Sequence, residues 1–324
     1  MTISVVIATY NRAALLAECL QHLSRQRFMP GDEVIVVDNG STDDTPRVIA
    51  DAQDLFSVPL RRLLETKAGK SNAIATALDV ASGDIIAFTD DDVDVEPSWV
   101  EAIRAVMSDP GIALAGGPVT PRWETEPPRW LRAATMNDTF GRLAAPLGLL
   151  DYGPESFPLG PRTVLGANLI VRAEVLKKLG GYASHLGKLR GTLLSGEDHE
   201  LCMRVQQAGF RAVWWPELRV THWVPVSRMR ARYAMAWFYW SGITHATLDD
   251  PFDSAQGKPF DSAQGPRGRA RSLFRVPRYL IKRIATSAAR TLVAALTGRP
   301  AGAMDNAIDV AFVAGYVAHR WGVA

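Results

Sequence analysis

An acidic triplet, Asp90-Asp91-Asp92, follows directly on the apolar run Ile85-Ile86-Ala87-Phe88-Thr89. Carboxylate oxygens are preferred ligands of hard divalent cations, and a strand end holds them on a rigid edge where phosphates can be bridged. A bare triplet reads as a solvated turn; its place after a buried-type strand favours chemistry. A second carboxylate, Asp38, ends the run Val34-Ile35-Val36-Val37 and opens Asn39-Gly40-Ser41-Thr42-Asp43. There it can accept hydrogen bonds from a base N–H or a ribose hydroxyl, while Gly40 and Thr42 supply turn and cap chemistry. A third cluster is Ser195-Gly196-Glu197-Asp198-His199-Glu200. A carboxylate reached through a glycine at a helix start can act as a general base, although Asp and Glu also favour a first helical turn electrostatically. Lys70, in Lys67-Ala68-Gly69-Lys70-Ser71, can meet phosphate as a point charge or stand as a surface lysine before a helix. A P-loop is not expected, because Leu64 stands where that pattern needs glycine. His222, in Val220-Thr221-His222-Trp223, is a competent metal ligand or a structural histidine. No G-x-G-x-x-G follows a strand and no G-x-S-x-G is present.

These residues need elements to hold them. Short apolar runs at 3–8, 34–37 and 85–89, with a further strand at 60–64, alternate with helical patterns, the first carrying Leu15, Leu16, Cys19, Leu20 and Leu23. Asn11 is placed to cap that helix, and Thr42 or Asp43 the next, with Pro46 in its first turn. Residues 71–81 form a third helix, and Pro97 opens a fourth carrying Trp99, Val100, Ile103, Val106 and Met107. Continuous apolar strands between amphipathic helices predict a parallel sheet covered on both faces, with ligands at the carboxyl ends of the strands. The proline-rich stretch 118–162 reads as a long loop region over the site. Strand at 163–172, helix at 173–179 and helix from Glu197 to Ala208 follow, then strands at 210–215 and 219–223. Helices are expected at 228–246, 276–297 and 303–320. Between the first two, Pro251-Phe252-Asp253-Ser254-Ala255-Gln256-Gly257 recurs at Pro259 through Gly265, too few copies for a solenoid and read as a flexible insert.

Composition bounds the class. The 324 residues are 47% hydrophobic and 22% charged, ordinary for a globular chain of one large domain with an appendage. The formal charge of +2 conceals an asymmetry: residues 226–324 carry 14 Lys/Arg against 6 Asp/Glu, and residues 1–225 carry 22 against 28. Two cysteines, Cys19 and Cys202, read as buried free thiols in a reducing compartment. No signal peptide is expected, since the chain opens on a strand, and no apolar window is long enough to span a membrane.

In order along the chain, Val5-Val6-Ile7-Ala8-Thr9-Tyr10-Asn11-Arg12, Val37 to Asp43, Asp90-Asp91-Asp92, Val164 to Arg172 with Gly180-Gly181-Tyr182, and Gly196-Glu197-Asp198 resemble the motifs of family 2 glycosyltransferases. The resemblance covers roughly residues 3–225, and its force lies in the order of five signals that are each weak alone. It implies a GT-A fold, a Rossmann-like and mostly parallel sheet flanked by helices, here with a helical C-terminal tail. It implies an inverting, metal-dependent transfer of sugar from a nucleoside-diphosphate sugar to an acceptor hydroxyl, in polysaccharide, glycolipid or cell-envelope glycan synthesis. The cation would be Mg²⁺ or Mn²⁺, and the acceptor a glycan, a lipid-linked sugar or a small molecule. By the same resemblance Asp38, with Thr9 and Asn39 beside it, would contact base or ribose. Asp90 would lie near the ribose, Asp91 and Lys70 on the donor side, and Asp92 on the metal. Asp198 would be the general base and Glu197 its support, with Asn168 and Trp223 lining the acceptor side. His222 matches a position that sometimes adds a metal contact. The helix after Lys70 departs from many relatives, with Ala75 and Ala77 in place of Asn and Gly.

The expected division is a catalytic domain at 1–225 and a basic helical region at 226–324, with the repeat insert at 251–265. Arg267, Arg269, Arg271, Arg275, Arg278, Lys282 and Arg283 lead into apolar helices. An interfacial helix resting on a membrane and a helical pair packed on protein both fit that composition, so the expected location is cytoplasmic, with peripheral contact at the inner face of the cell membrane as an option. No nucleic-acid module is present to use the basic run. Two further readings compete. A catalytically inactive sugar-nucleotide-binding module would have no need to keep both Asp92 and Asp198. A nucleotidyltransferase would need a glycine-rich loop where Ala8-Thr9-Tyr10-Asn11-Arg12 stands.

Overall fold

The structure, a computed structural model, describes residues 1–131, 143–183, 186–188, 191–249, 252–253, 258–259, 272–273, 276–277, 280, 282, 285–287, 289 and 303–322. The chain divides into two compact units, Met1–Arg190 with Glu197–Met229, and Gly191–Gly196 with Arg230–Ala324.

The first unit is the α/β body. In chain order it contains β1 (Ile3–Thr9), α1 (Ala13–Ser24), β2 (Glu33–Asp38), α2 (Thr45–Asp51), β3 (Leu60–Leu64), α3 (Lys70–Leu78), β4 (Ile85–Asp90), β5 (Val93–Val95) and α4 (Trp99–Met107). It continues with β6 (Ile112–Gly116), β7 (Val119–Trp123), α5 (Ala144–Leu147), β8 (Phe157–Pro158), β9 (Leu169–Arg172), α6 (Ala173–Lys178), α7 (Glu197–Gln207), β10 (Arg211–Trp214) and β11 (Val220–Val224). Among the described residues the main sheet runs in the order β3-β2-β1-β4-β9-β6-β10-β8, and a smaller sheet in the order β5-β11-β7. Strands β1 to β4 are mutually parallel, and every residue of β2 is buried, as continuous apolar runs require. One core face joins α1 and α4 to Val5, Ile7, Val34 and Val36; the other joins α3 and α7 to Val6, Ile35, Val37 and Phe88.

Several expectations are corrected. The strand expected at 163–172 is confined to β9, and it runs antiparallel to both β4 and β6. An apolar run buried on both faces carries no mark of its direction; with β1 to β4 parallel, the sheet is the mostly parallel one expected. Strand β6, Ile-Ala-Leu-Ala-Gly, lacks the β-branched bias that marks its neighbours. The stretch 118–162 also contributes β7 and β8; both are edge strands, where Pro121 and Pro158 cost no ladder bond at the sheet centre. Asn11 does not cap α1. Its φ is +50°, and its side-chain oxygen accepts from Thr42 N at 2.7 Å. Asp43 caps α1 instead, accepting from Ala13 N at 3.0 Å with one oxygen while the other accepts from Thr45 N at 3.1 Å.

The second unit holds two described long helices, α8 (Ala231–Leu248) and α9 (Ala303–Arg320). They approach closely, since a methyl group at Gly242 would lie 2.0 Å from Phe312 O and one at Gly315 1.8 Å from Tyr239 O. Most of the repeat insert, much of the expected helix 276–297 and the arginines expected to meet a membrane lie outside the described residues; Val276–Pro277, expected to open that helix, instead pair antiparallel with Ser272–Leu273, since the residue before a proline favours extended backbone. Phe252–Asp253 and Lys258–Pro259 form a short antiparallel pair. No described helix is long and apolar enough to cross a membrane.

Asn168 ties the two sheets of the first unit together. Fully buried before β9, it accepts from Trp99 Nε1 at 3.0 Å and donates to Leu218 O at 2.7 Å and Pro118 O at 3.3 Å. Those carbonyls precede β11 and β7. Asn168→Leu strands a buried donor and two buried acceptors, and is expected to lower unfolding free energy by about 2–4 kcal/mol in urea titration.

Candidate active site

The parallel registers place the carboxyl ends of β2, β1 and β4 side by side: Thr9 pairs with Asp38, and Ala8 with Asp90. At the first position Asp38 is buried; it accepts from Ser41 N at 2.8 Å and from Arg62 Nη2 at 3.1 Å. The Asn39 amide spans the adjoining loop, donating to Glu65 O and Lys67 O and accepting from Gly69 N at 2.9 Å. It thereby fixes the entry to α3, where Gly69 turns at φ +129°.

The acidic triplet follows. Asp90 is ion-paired to the Lys70 ammonium; burial alone would raise its pKa, but Lys70 and Lys188 outweigh burial and the Asp92 charge and hold it down. Asp91 points inward, accepting from Thr9 Oγ1 at 2.8 Å and from Arg12 Nη1 at 3.0 Å. Burial, with the Asp92 and Asp90 charges, pushes its pKa up to about 6 against the pull of Arg12. Asp92 is 3% exposed and faced by basic side chains: Arg12 Nη1 at 2.6 Å, His222 Nε2 at 3.4 Å and Arg228 Nη2 at 3.8 Å. Burial opposes its ionisation, but His222, Arg12 and Arg228 hold its pKa well below the usual carboxylate range. The small sheet delivers His222. Register pairs it with Val93, next to Asp92, and Trp223 N donates to Asp92 O at 2.9 Å.

Glu197 and Asp198 begin α7, after Gly196 turns the chain at φ +106°. Asp198 is half-buried and accepts from Gly166 N at 2.9 Å and from His199 N at 2.8 Å. Glu197 is buried, and its Oε2 has no hydrogen-bond partner among the described residues. Burial and the Asp198 charge raise its pKa from the ordinary 4.5 to about 7, against the attraction of Lys70. Lys188 keeps contact with solvent while lying in the same cleft; burial and then Arg228 lower its pKa, and its carbonyl accepts from Lys70 N at 3.1 Å.

The structure thus gathers Asp90, Asp91, Asp92, Thr9, Lys70 and His222, with Asp38 and Asn39 along the same edge and Glu197 and Asp198 within electrostatic reach of Lys70. Sequence reasoning gave no role to Arg12, Lys188 or Arg228. No spacing marks them, because each reaches the carboxylates only through the fold. Among the described residues no group of three or more His, Cys, Asp and Glu is arranged to hold a metal alone. The pair Asp92 and His222 nevertheless fits a divalent cation in donor chemistry, with the buried His222 Nδ1 left without a hydrogen-bond partner among the described residues. Such a cation commonly takes one or two protein ligands and completes its shell with phosphate oxygens and water.

A model of the family described as Glycosyl transferase family 2 matches residues 4–179. A glucosyl-dolichyl phosphate glucuronosyltransferase of Haloferax volcanii is 26% identical over 253 residues, covering 77% of this chain and 78% of the relative. The glycosyltransferase AglE of the same organism is 29% identical over 210 residues, and there the match covers 64% of this chain and 62% of the relative. In fold, the chain is similar to the mannosyltransferase PcManGT from Pyrobaculum calidifontis, solved in complex with GDP-Man and Mn²⁺, with a TM-score of 0.62 at 19% identity over 99% of this chain and 87% of that one. That likeness and the mostly parallel sheet flanked by helices are those of the GT-A fold. With more than half of its length matched by the family model, the chain belongs to glycosyl transferase family 2.

Proposed function

We propose that this glycosyltransferase moves a sugar from a nucleoside-diphosphate sugar to an acceptor hydroxyl with inversion, assisted by Mg²⁺ or Mn²⁺. The observation that carries the reading is the single edge on which Asp38, Asp90 and the Asp92–His222 pair stand, with Asp198 at the start of α7. The catalytic region is residues 1–225, completed by Arg228 just beyond it, with the rest of 226–324 an appendage. Asp38 would accept from base or ribose beside Thr9 and Asn39, and Asp90 would lie by the ribose with Asp91 behind it. Asp92 and His222 would hold the cation. When bound, that cation offsets charge developing on the diphosphate.

The protein's own groups do the rest. Lys70, Lys188 and Arg228 surround the carboxylates with positive charge and can stabilise the leaving diphosphate in the transition state more than in the ground state. Asp198 takes the acceptor proton as the acceptor oxygen bonds to the anomeric carbon and the carbon–oxygen bond to diphosphate breaks. Glu197 would lie beside it as a partly protonated neighbour at neutral pH, sparing Asp198 a second full negative charge. PcManGT, with its bound GDP-Man and Mn²⁺, supports the donor class and the cation. The glucuronosyltransferase relative supports a lipid-linked acceptor among the glycan, lipid-linked and small-molecule classes.

Asp198→Asn is expected to slow donor turnover by about 10²–10⁴-fold while leaving donor affinity within about threefold, read by product release and calorimetry. Wild type that binds donor without any turnover would instead favour the inactive binding module. Glu197 gives a pH signature. Its pKa rises from 4.5 to about 7 on folding, so the folded state binds the extra proton and stability falls as pH climbs through that window. Glu197→Gln removes this loss, and its gain in melting temperature over wild type should be several degrees larger at pH 8 than at pH 5.

A further inference from the structure

Beside Asp198 lies a second buried polar group that the scheme above does not use. Tyr182 follows Gly180-Gly181 at the end of α6, and it is 7% exposed, its ring 5.3 Å from that of Phe88. Its hydroxyl is buried with no hydrogen-bond partner among the described residues. Leaving a buried hydroxyl unpaired costs about 1–3 kcal/mol, and phenylalanine would fill the same space without that cost. Glu197 Oε2, also buried and unpaired, adds a second such deficit at the start of α7. Both deficits lie beside Asp198, at the start of α7.

The glycine opposite defines the space. A methyl group at Gly166 would lie 3.5 Å from the Tyr182 hydroxyl and 3.7 Å from Asp198 Oδ2, so phenol and carboxylate face the same bare glycine. Gly166 N donates to that same Asp198 oxygen at 2.9 Å and so fixes the carboxylate beside the glycine. Burial, with Glu197, Asp198 and Asp90 nearby, raises the pKa of Tyr182 well above its ordinary value, so the phenol remains a donor.

We propose that Tyr182 binds the acceptor oxygen, its phenol donating to the hydroxyl whose proton Asp198 takes, on the side of both groups that faces Gly166. A hydroxyl oxygen has two lone pairs. One accepts from Tyr182 and the other forms the bond to the anomeric carbon, while the bond from that carbon to diphosphate breaks and its electron pair leaves with the phosphate. The proton passes to Asp198, and Tyr182 keeps its own. The inference rests on Asp198 being the base.

The test uses the full chain, Tyr182→Phe and Gly166→Ala, with nucleotide-sugar hydrolysis as the reaction, so that water is the acceptor. Tyr182→Phe should melt at or above the wild-type temperature without ligand and bind nucleoside diphosphate as wild type does. It should hydrolyse donor about tenfold more slowly in kcat with donor KM unchanged. Gly166→Ala, which fits without displacing either neighbour, should reproduce that split by setting a methyl between phenol and carboxylate. A melting temperature several degrees lower in Tyr182→Phe would overturn the proposal, because the phenol would then have an internal partner such as a buried water. Wild-type hydrolysis rates in both variants would overturn it too. Asp198→Asn measured alongside separates the two failures: slow Asp198→Asn with normal Tyr182→Phe rejects only the role of Tyr182, and normal Asp198→Asn rejects the base itself.

Discussion

Carboxylates buried at the ends of parallel strands survive only when cations meet them, because an unpaired buried charge costs more than a fold of this size can spare. Here each is met by a different element. Arg62 of β3 faces Asp38, Lys70 of α3 faces Asp90, and Arg12 before α1 bridges Asp91 and Asp92. His222 and Arg228, from β11 and beyond, close on Asp92. The acidic edge is thus a point where the helices and both sheets of the first unit converge. A bound cation and diphosphate would enter a network already balanced in charge, exchanging partners and adding little net charge.

The supporting structure follows from that convergence. His222 reaches Asp92 because β11 pairs with β5, and β5 begins one residue after the triplet. The small sheet is held to the large one by Asn168, whose amide serves Trp99, Pro118 and Leu218 at once. Asn39 plays a comparable part at the other end of the edge, spanning three backbone groups between Glu65 and Gly69. Polar side chains near the site therefore divide into those that face the cleft and those that hold its walls.

That division marks the limit of what could be read beforehand. β1, β2 and β4 were legible because β-branched apolar runs ending in Thr9, Asp38 and Asp90 admit few other conformations. The direction of β9 was not, since an apolar run is the same read either way. β6 was missed because Ile-Ala-Leu-Ala-Gly lacks strand bias, and β7 because its proline suits only an edge. Asp92 and Asp198 stood out by type and position. Arg12 and Arg228 did not, since nothing local distinguishes an arginine that folds back onto a carboxylate from one in solvent. Likewise, no sequence rule tells that the hydroxyl of Tyr182 will be buried without a partner.

The central claim is that the edge carrying Asp38, Asp90 and Asp92 holds a nucleotide-sugar together with a divalent cation. Calorimetric titration of a nucleoside-diphosphate sugar panel, in Mn²⁺ and in EDTA, on wild type and Asp92→Ala, tests it most directly. The account predicts that at least one donor binds in Mn²⁺, that EDTA weakens it by about tenfold or more, and that Asp92→Ala shows no such metal effect. Binding of no donor in either condition, or donor binding in Asp92→Ala that Mn²⁺ still strengthens as in wild type, would contradict it.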